Sequence, residues 1–237
     1  MKIFKIENII LCKIIFVIYL LFTCSHCNAK EQQKLMHIFN VGVFCSADDK
    51  ISDVNKQHAF RLGQILVENN YALITGGSKT GLMKEVVDGY VSKAPVIRVQ
   101  GVMPKILQGY NAVHPDITDD NLTWTETVHQ RLSVLHDKCD IVIILPGGFG
   151  TLHELMDFLV HNQYGIIKKR IVLLNIEGFW DPLLDQFKSM VEKNSLRQEH
   201  LNHLEIVSSI DECLEKMSLP HIVQVGQGFD DRHWEVK

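Results

Sequence analysis

Two glycine-rich segments carry the backbone chemistry that binds phosphate groups. They are Gly76-Gly77-Ser78-Lys79-Thr80-Gly81-Leu82-Met83 and Pro146-Gly147-Gly148-Phe149-Gly150-Thr151. Glycine lets a chain turn sharply and expose N–H groups to an anion, and the start of a following helix adds positive potential. Neither segment has the Gly-Lys-Ser/Thr ending of a P-loop or the Gly-x-Gly-x-x-Gly spacing of a dinucleotide fingerprint. The two segments indicate a mononucleotide or a sugar phosphate, although turn geometry alone would also explain these glycines.

An acidic residue, Glu154, follows the second segment and is a candidate for acid–base or charge-stabilising chemistry. Thr151-x-x-Glu154 also has the spacing of a helix capping box, in which the glutamate caps the start of its helix. The two interpretations are compatible, because the first helical turn faces the same crevice. His153-Glu154 begins like the His-Glu-x-x-His motif of zinc proteases, but Asp157 stands where the second histidine is needed. His200-x-x-His203 has no cysteine or acidic partner at the spacing of metal ligands. We therefore expect no metal site.

Alternating strands and helices must position these residues, and the hydrophobic pattern predicts them from residue 37 onward. Strands are expected at 37–45, 71–75, 95–102, 141–145, 170–175 and 204–207, and helices at 55–69, 82–91, 127–139, 151–162, 182–192 and 210–217. Repeated βα alternation favours an α/β fold with a doubly wound parallel sheet and helices on both faces. The apolar run at 141–145 indicates a strand buried on both faces. Ligands bind at the carboxyl ends of such strands, and both glycine segments follow one.

The sequence pattern divides the chain into a hydrophobic leader at 1–29, an α/β domain at 36–218 and a tail at 219–237 with little periodicity. Lys2 and Lys5 precede an apolar run at 14–22, and small residues follow it, as in a secretory signal peptide or a membrane anchor. The run is shorter than the roughly 20 residues that span a bilayer. Within the domain, the polar segment 108–123 is expected to form a long loop.

The composition of the 237 residues excludes some classes of partner. A net charge of −4 and an aromatic content of 8% favour neither a non-specific nucleic-acid surface nor a base-stacking platform. Cys45, Cys139 and Cys213 are odd in number and widely separated, which disfavours disulfides in the domain. Cys45 and Cys139 lie in or beside apolar strand-like runs, as is typical of buried free thiols in a reducing compartment. The domain therefore favours the cytoplasm, whereas the leader favours export or membrane tethering.

The second glycine segment and Glu154 together resemble the PGGxGTxxE signature of the Lonely Guy (LOG) family. Members of this family are cytokinin riboside 5′-monophosphate phosphoribohydrolases, once described as lysine decarboxylases. Other segments of the chain resemble family segments in the same order. They are Val43-Phe44-Cys45, Gly76-Gly77, Gly81-Leu82-Met83, Gly101-Val102-Met103-Pro104, His129-Gln130-Arg131, Gln163 with Gly165, and Gly178-Phe179-Trp180-Asp181-Pro182-Leu183-Leu184. The resemblance covers residues 37–217.

The resemblance implies a Rossmann-like domain that forms a homodimer and hydrolyses the N-glycosidic bond of a nucleoside 5′-monophosphate. AMP or an N6-substituted AMP, such as a cytokinin riboside 5′-monophosphate, is then the expected substrate, and Arg131 and Glu154 are the catalytic pair. The implied substrate-binding residues are Gly76, Gly77, Gly81, Met83, His129, Gly147, Gly148, Gly150 and Thr151. The reaction needs no cofactor and no metal, and any membrane association would come from the leader alone.

The residue types suit this reaction. Cleavage of an N-glycosidic bond builds positive charge on the ribose, which the carboxylate of Glu154 can stabilise. The guanidinium of Arg131 can hold phosphate or offset charge on the leaving base. Before the resemblance is considered, the residues favour a different interpretation of Arg131, as a solvent-exposed helix arginine paired with a nearby acid.

The chain departs from the family pattern at several positions. Val128 replaces a Met, Leu132 a Lys, Ser78 and Lys84 a Gly each, and Val160 a Thr. The loss of the Lys is expected to remove one positive charge from the substrate site. We therefore keep a non-catalytic nucleotide or cofactor carrier on the same fold as the alternative function.

Overall fold

A seven-stranded parallel sheet forms the centre of the computed structural model, which describes residues 38–93 and 98–219. The strands are β1 (Asn40–Phe44), β2 (Ala72–Thr75), β3 (Val99–Pro104), β4 (Leu122–Thr125), β5 (Ile141–Ile144), β6 (Arg170–Leu174) and β7 (Leu204–Val207). The helices are α1 (Asp53–Glu68), α2 (Gly81–Val91), α3 (Val128–Lys138), α4 (Phe149–Gln163), α5 (Asp181–Glu192), α6 (Gln198–Leu201) and α7 (Ile210–Ser218). Short 3₁₀ turns at Lys105–Leu107 and Ile176–Gly178 follow β3 and β6.

The order of the strands across the sheet is β4-β3-β2-β1-β5-β6-β7, and every neighbouring pair is parallel. The chain adds strands outward from β1 to β4 and then returns to the other side of β1 with β5. Val43 in β1 accordingly lies opposite Thr75 on one side and opposite Ile143 on the other. This reversal between β1 and β5 is the topological switch point, where the loops diverge and leave a crevice for a ligand.

Helices cover both faces of the sheet. On one face α1 and α2 bury Leu66 and Tyr90 in a core that α7 completes. On the other face α3 and α4 bury Leu135 and Phe158 in a second core shared with α5. All residues of β5 are buried, as expected of a strand covered on both sides. The predicted doubly wound α/β fold is confirmed.

Two predictions for the middle of the chain are wrong in part. The segment 108–123 is not a loop throughout, because its last two residues begin β4, which pairs with β3. The strand predicted at 95–102 continues to Pro104, and residues 94–97 lie outside the described ranges. β4 is an edge strand whose first three residues are half-buried, so it lacks the fully apolar run that marks the interior strands.

Three buried cysteines in the described residues, Cys45, Cys139 and Cys213, are free thiols, which confirms the prediction for Cys45 and Cys139. Burial raises the pKa of Cys213 to about 12 and also raises the pKa values of the other two thiols. The leader at 1–29 and all but the first residue of the tail lie outside the described residues, so the division of the chain into three parts stays a prediction. Among the described helices, none combines the length and the apolar character needed to cross a membrane.

Helices α1 and α2 cross so closely that their backbones touch at two glycines. A Cβ atom at Gly63 would overlap the carbonyl oxygen of Val86, and a Cβ atom at Gly89 would overlap that of Phe60. A side chain at either position would have to push the helices apart. The crossing therefore fixes α2, whose first turn ends the first glycine segment.

Replacement of Gly89 by alanine is expected to lower the free energy of unfolding by roughly 2–3 kcal/mol, the upper range for an overpacked interior. Gly150→Ala is the matched control in another helix, because no described atom lies within 4 Å of its Cβ position. Alanine there should stabilise the protein by about 0.5–1 kcal/mol, since glycine disfavours a helix. Urea unfolding of both variants measures the difference, and effects of the same sign would contradict the close crossing.

Candidate active site

The loops that follow β1 and β5 lie side by side at the carboxyl edge of the sheet. The N–H of Ser46 donates to the carbonyl of Pro146 at 2.9 Å, and the N–H of Leu145 donates to the carbonyl of Phe44 at 3.0 Å. These bonds continue the parallel pairing beyond both strands. They place the second glycine segment at the switch point, where a ligand is expected in this class of fold.

Helix α4 begins with an open backbone. Gly148 is its N-cap, and no side-chain cap hydrogen bond is made there within the described ranges. No described atom lies within 4 Å of a Cβ position at Gly148 or Gly150, and both residues are exposed. At Gly147, by contrast, a Cβ atom would overlap Oγ1 of Thr151 and lie 3.0 Å from the nitrogen of Ser46. Gly147 allows close packing of the loop, whereas the other two glycines leave space where the helix N-terminus can receive an anion.

The side chains of Arg131 and Glu154 form a buried ion pair between α3 and α4. Nη1 of Arg131 lies 2.6 Å from Oε1 of Glu154, and the two side chains are 12% and 3% exposed. Nε of Arg131 also donates to the carbonyl of Val102 in β3 at 2.8 Å. Oε2 of Glu154 is buried and has no hydrogen-bond partner among the described residues. The guanidinium is thus fixed at two points, and one carboxylate oxygen remains for a substrate group or a water.

Burial raises the pKa of Glu154 above its usual value, and the guanidinium of Arg131 opposes that rise by favouring the charged form. The capping-box interpretation of Glu154 is wrong. The glycine turn starts the helix at Phe149, two residues before Thr151, and the glutamate pairs with Arg131 rather than with the start of the helix. A buried carboxylate with a raised pKa suits acid–base work near neutral pH.

The first glycine segment reaches the ion pair from β2. A Cβ atom at Gly76 would lie 3.1 Å from Nη2 of Arg131 and 2.9 Å from Sδ of Met83, so glycine lets both side chains lie over the loop. Gly81 has a φ of +62°, and its N–H donates to Oδ1 of Asp49 at 2.8 Å. Gly76 therefore lies directly against the side chains of Arg131 and Met83, whereas Gly81 closes the segment against the loop after β1.

Other residues selected from the sequence lie around this cluster. Gly77 has a φ of +80°, and its carbonyl accepts a bond from the N–H of His114 at 2.9 Å. His129 is exposed in the first turn of α3. Leu132, where the family pattern has a Lys, is 4% exposed. In this chain that position contributes packing to the interior beside α3 rather than charge to the crevice.

Sequence reasoning missed the groups of the main chain and of the β1–α1 loop that hold the cluster together. They include the carbonyl of Val102, the side chain of Asp49 and the carbonyl of Ser46, which accepts a bond from the N–H of Met83 at 3.3 Å. The position of the β1–α1 loop beside the switch point could have indicated this loop. No residue type marks which carbonyl Arg131 would contact.

Comparison with known proteins finds a family model that matches more than half of the chain and plant relatives that are similar in sequence. The family model described as possible lysine decarboxylase matches residues 83–217. The cytokinin riboside 5′-monophosphate phosphoribohydrolase LOG1 of Arabidopsis thaliana is 34% identical over 203 residues, which are 82% of this chain and 89% of that protein. Its homologue LOG2 from the same plant is 33% identical over 154 residues, or 64% of this chain and 69% of that protein.

Solved structures with the same fold include proteins that carry a cofactor. The molybdenum cofactor binding protein of Rippkaea orientalis superposes with a TM-score of 0.57 at 24% identity, covering 77% of this chain and 96% of that chain. The Moco carrier protein of Chlamydomonas reinhardtii gives a TM-score of 0.56 at 16% identity, covering 76% and 96%. At these identities the likeness establishes the fold alone.

Removal of the arginine from the buried pair is expected to destabilise the protein strongly. Arg131→Met leaves Glu154 buried without its counter-charge, which should cost about 3–5 kcal/mol at neutral pH. In this variant the folded-state pKa of Glu154 lies still further above its unfolded value of about 4.3. The loss in free energy of unfolding should therefore grow as pH rises above the unfolded pKa of Glu154. It should shrink as pH falls, because protonation removes the buried charge. Urea unfolding between acidic and neutral pH measures both effects.

Arg61→Met is the matched surface control for this experiment. Nη1 of Arg61 lies 3.3 Å from Oε2 of Glu68, and the side chains are 51% and 38% exposed. Exposed pairs of this kind contribute at most about 1 kcal/mol. A loss in Arg131→Met no larger than the loss in Arg61→Met would contradict a stabilising buried pair.

Proposed function

Because this chain belongs to the LOG family, we propose that it hydrolyses the N-glycosidic bond of a nucleoside 5′-monophosphate to free base and ribose 5-phosphate. The relatives LOG1 and LOG2 carry this class of activity in their names. The observation that carries the proposal is the buried pair of Arg131 and Glu154, with one unpartnered carboxylate oxygen, at the start of α4.

Glu154 acts on the ribose. As the bond between the anomeric carbon and the base breaks, positive charge develops on the sugar ring, and a nearby carboxylate stabilises it. The oxygen of a water molecule then bonds to the anomeric carbon, and one proton of that water is transferred to the departing base. Oε1 of Glu154 is held by Arg131, so Oε2 is the oxygen that can accept a hydrogen bond from a ribose hydroxyl or from this water.

The start of α4 receives the 5′-phosphate. The open space at Gly148 and Gly150 leaves the first N–H groups of the helix accessible, and the helix dipole adds to their attraction for an anion. The domain therefore binds a charged substrate without a basic surface, in keeping with a net charge of −4 for the whole chain. Because the same helix carries Glu154, the phosphate site and the carboxylate keep a fixed spacing.

Arg131 acts through Glu154. Its Nε is bonded to the carbonyl of Val102 and its Nη1 to Glu154, which leaves little freedom for the guanidinium to follow a substrate. Its positive charge favours the ionised form of the buried carboxylate and so opposes the rise in the pKa of Glu154 that burial causes. In this scheme Arg131 is a positioning residue that also sets the charge state of Glu154.

AMP or an N6-substituted AMP is the proposed substrate, and the protein is proposed to be a homodimer. Val160 and Tyr164, four residues apart at the end of α4, are apolar side chains that remain 43% and 48% exposed, and we propose that a second copy of the chain covers them. The alternative is a nucleotide or cofactor carrier without turnover. Its support is the shared fold with the two cofactor-binding proteins.

Glu154→Gln is expected to reduce base release from AMP by roughly 10²–10⁴-fold, the range for loss of an acid–base group. The amide keeps the size of the side chain but cannot carry the negative charge. Chromatography of free adenine after incubation with AMP or N6-substituted AMP measures the rate. His153→Gln, which changes the exposed neighbour, is the matched control and should retain activity.

Comparable turnover in Glu154→Gln and the wild type would exclude the catalytic role of Glu154. Tight AMP binding without base release by the wild type would favour the carrier function.

Gly150→Asp tests the phosphate site without disturbing the fold. Apart from the adjacent helix backbone, no described atom lies within 4 Å of a Cβ position there, and a carboxylate in the first turn should stabilise the helix by about 0.3–1 kcal/mol. The same charge should repel the 5′-phosphate and raise KM for AMP on the order of 10-fold. Gly150→Asn is the neutral control of equal size. If both variants changed KM equally, the electrostatic assignment of this helix start would be wrong.

A further inference from the structure

A second group of polar side chains joins α3 to α4 beyond the ion pair. It consists of His136, five residues after Arg131 on α3, and of Asp157 and His161 on α4. A ring nitrogen of each histidine and a carboxylate oxygen of Asp157 all lie within 4.8 Å of one another. The side chains are 11%, 20% and 30% exposed, so the group is largely enclosed.

We propose that His136, Asp157 and His161 form a binding site for a divalent transition-metal ion that connects α3 and α4. Two imidazoles and one carboxylate are a donor set that suits zinc and its neighbours rather than calcium or magnesium. Three protein ligands leave a further coordination position for water. The proposed ion is structural, and no step of the proposed hydrolysis passes through it.

The first support is the contact between His136 and Asp157. Nε2 of His136 lies 2.6 Å from Oδ2 of Asp157, yet neither buried atom has an aligned hydrogen bond within the described part of the chain. An ordinary histidine–aspartate pair would direct its N–H at the oxygen. In the tautomer of His136 that carries its proton on Nδ1, Nε2 and Oδ2 are both electron-pair donors, and a cation between them would bond to both after a small separation.

The second support is the orientation of His161. Its Nδ1 lies 2.7 Å from the backbone carbonyl of Asp157, and because a carbonyl only accepts, the ring donates through Nδ1. Metal-binding imidazoles are oriented by bonds of this kind, which leave the other ring nitrogen unprotonated.

Another histidine cluster in the domain shows what a site without this capacity looks like. His114 is buried beside Asp88 and Asp116. Its Nδ1 accepts a bond from the N–H of Asp116 at 3.2 Å, and its Nε2 lies 3.0 Å from Oδ1 of Asp88, to which it donates. Both ring nitrogens of His114 make hydrogen bonds, so this cluster is a hydrogen-bond network and needs no metal ion. The group on α3 and α4 differs because its closest contact is unaligned.

Zinc binding by the full chain tests the proposal. The purified protein is freed of metal with a chelator, titrated with Zn²⁺ alone, and assayed for bound zinc and for thermal unfolding. The wild type is expected to bind one more equivalent than Asp157→Asn. At a free zinc concentration of 100 times Kd, its folding equilibrium should increase about 100-fold. The difference from the variant is the decisive quantity, because Cys24 and Cys27 of the leader are also potential zinc ligands.

Matched variants keep the test decisive. His161→Gln retains the His136–Asp157 contact and serves if Asp157→Asn does not fold; it should also lose the extra equivalent. His200→Gln changes another half-buried histidine and should leave zinc binding unchanged. Equal zinc binding by the wild type and His161→Gln would overturn the site and leave an ion-pair network. Because zinc is measured directly, this result would not bear on base release, which can fail or succeed independently.

Discussion

A charged pair kept away from water, Arg131 with Glu154, is the interaction on which the rest of the arrangement depends. Removing both charges from water is costly, and the cost is offset only where geometry and further bonds are favourable. Here the carbonyl of Val102 provides such a bond from β3, while α3 and α4 hold the partners on one face of the sheet. The first glycine segment keeps close by because Gly76 has no side chain to displace the guanidinium. One strand, two helices and the first glycine segment thus all contact or carry the members of this one ion pair.

Helix α4 combines several tasks in one rigid element. Its first turn offers open N–H groups, its second turn carries Glu154, and its following turns carry Asp157 and His161. Phe158 and Leu155 on the same helix are fully buried in the second core and prevent it from rotating. The distances between the proposed phosphate site, Glu154 and the Asp157–His161 pair are therefore set by helix geometry rather than by loops. This rigidity is consistent with a site that positions a small charged substrate.

The sequence predicted the fold more completely than the site. Apolar runs such as 141–145 identify interior strands, because burial on both faces requires them, whereas the half-buried β4 has no such pattern. The glycine segments and Glu154 were located correctly at the sheet edge. The capping-box spacing was misleading, since glycine turn geometry starts α4 two residues before Thr151. The backbone partner of Arg131 and the burial of Leu132 depend on how α3 lies against the sheet, which local sequence does not encode.

The hydrogen bond from Ser46 to Pro146 joins two loops that are far apart along the chain. β1 emerges early during synthesis, but its neighbour β5 follows only after three other strands have been made. Parallel strands brought together over such sequence distances pair slowly, because the intervening chain must be ordered first. The crevice at the switch point therefore has no local precursor: it comes into existence when β5 docks beside β1. An amino-terminal fragment that ends before β5 would contain the first glycine segment and Arg131 but would lack the second glycine segment and Glu154. The complete site therefore forms only when the whole sheet has assembled.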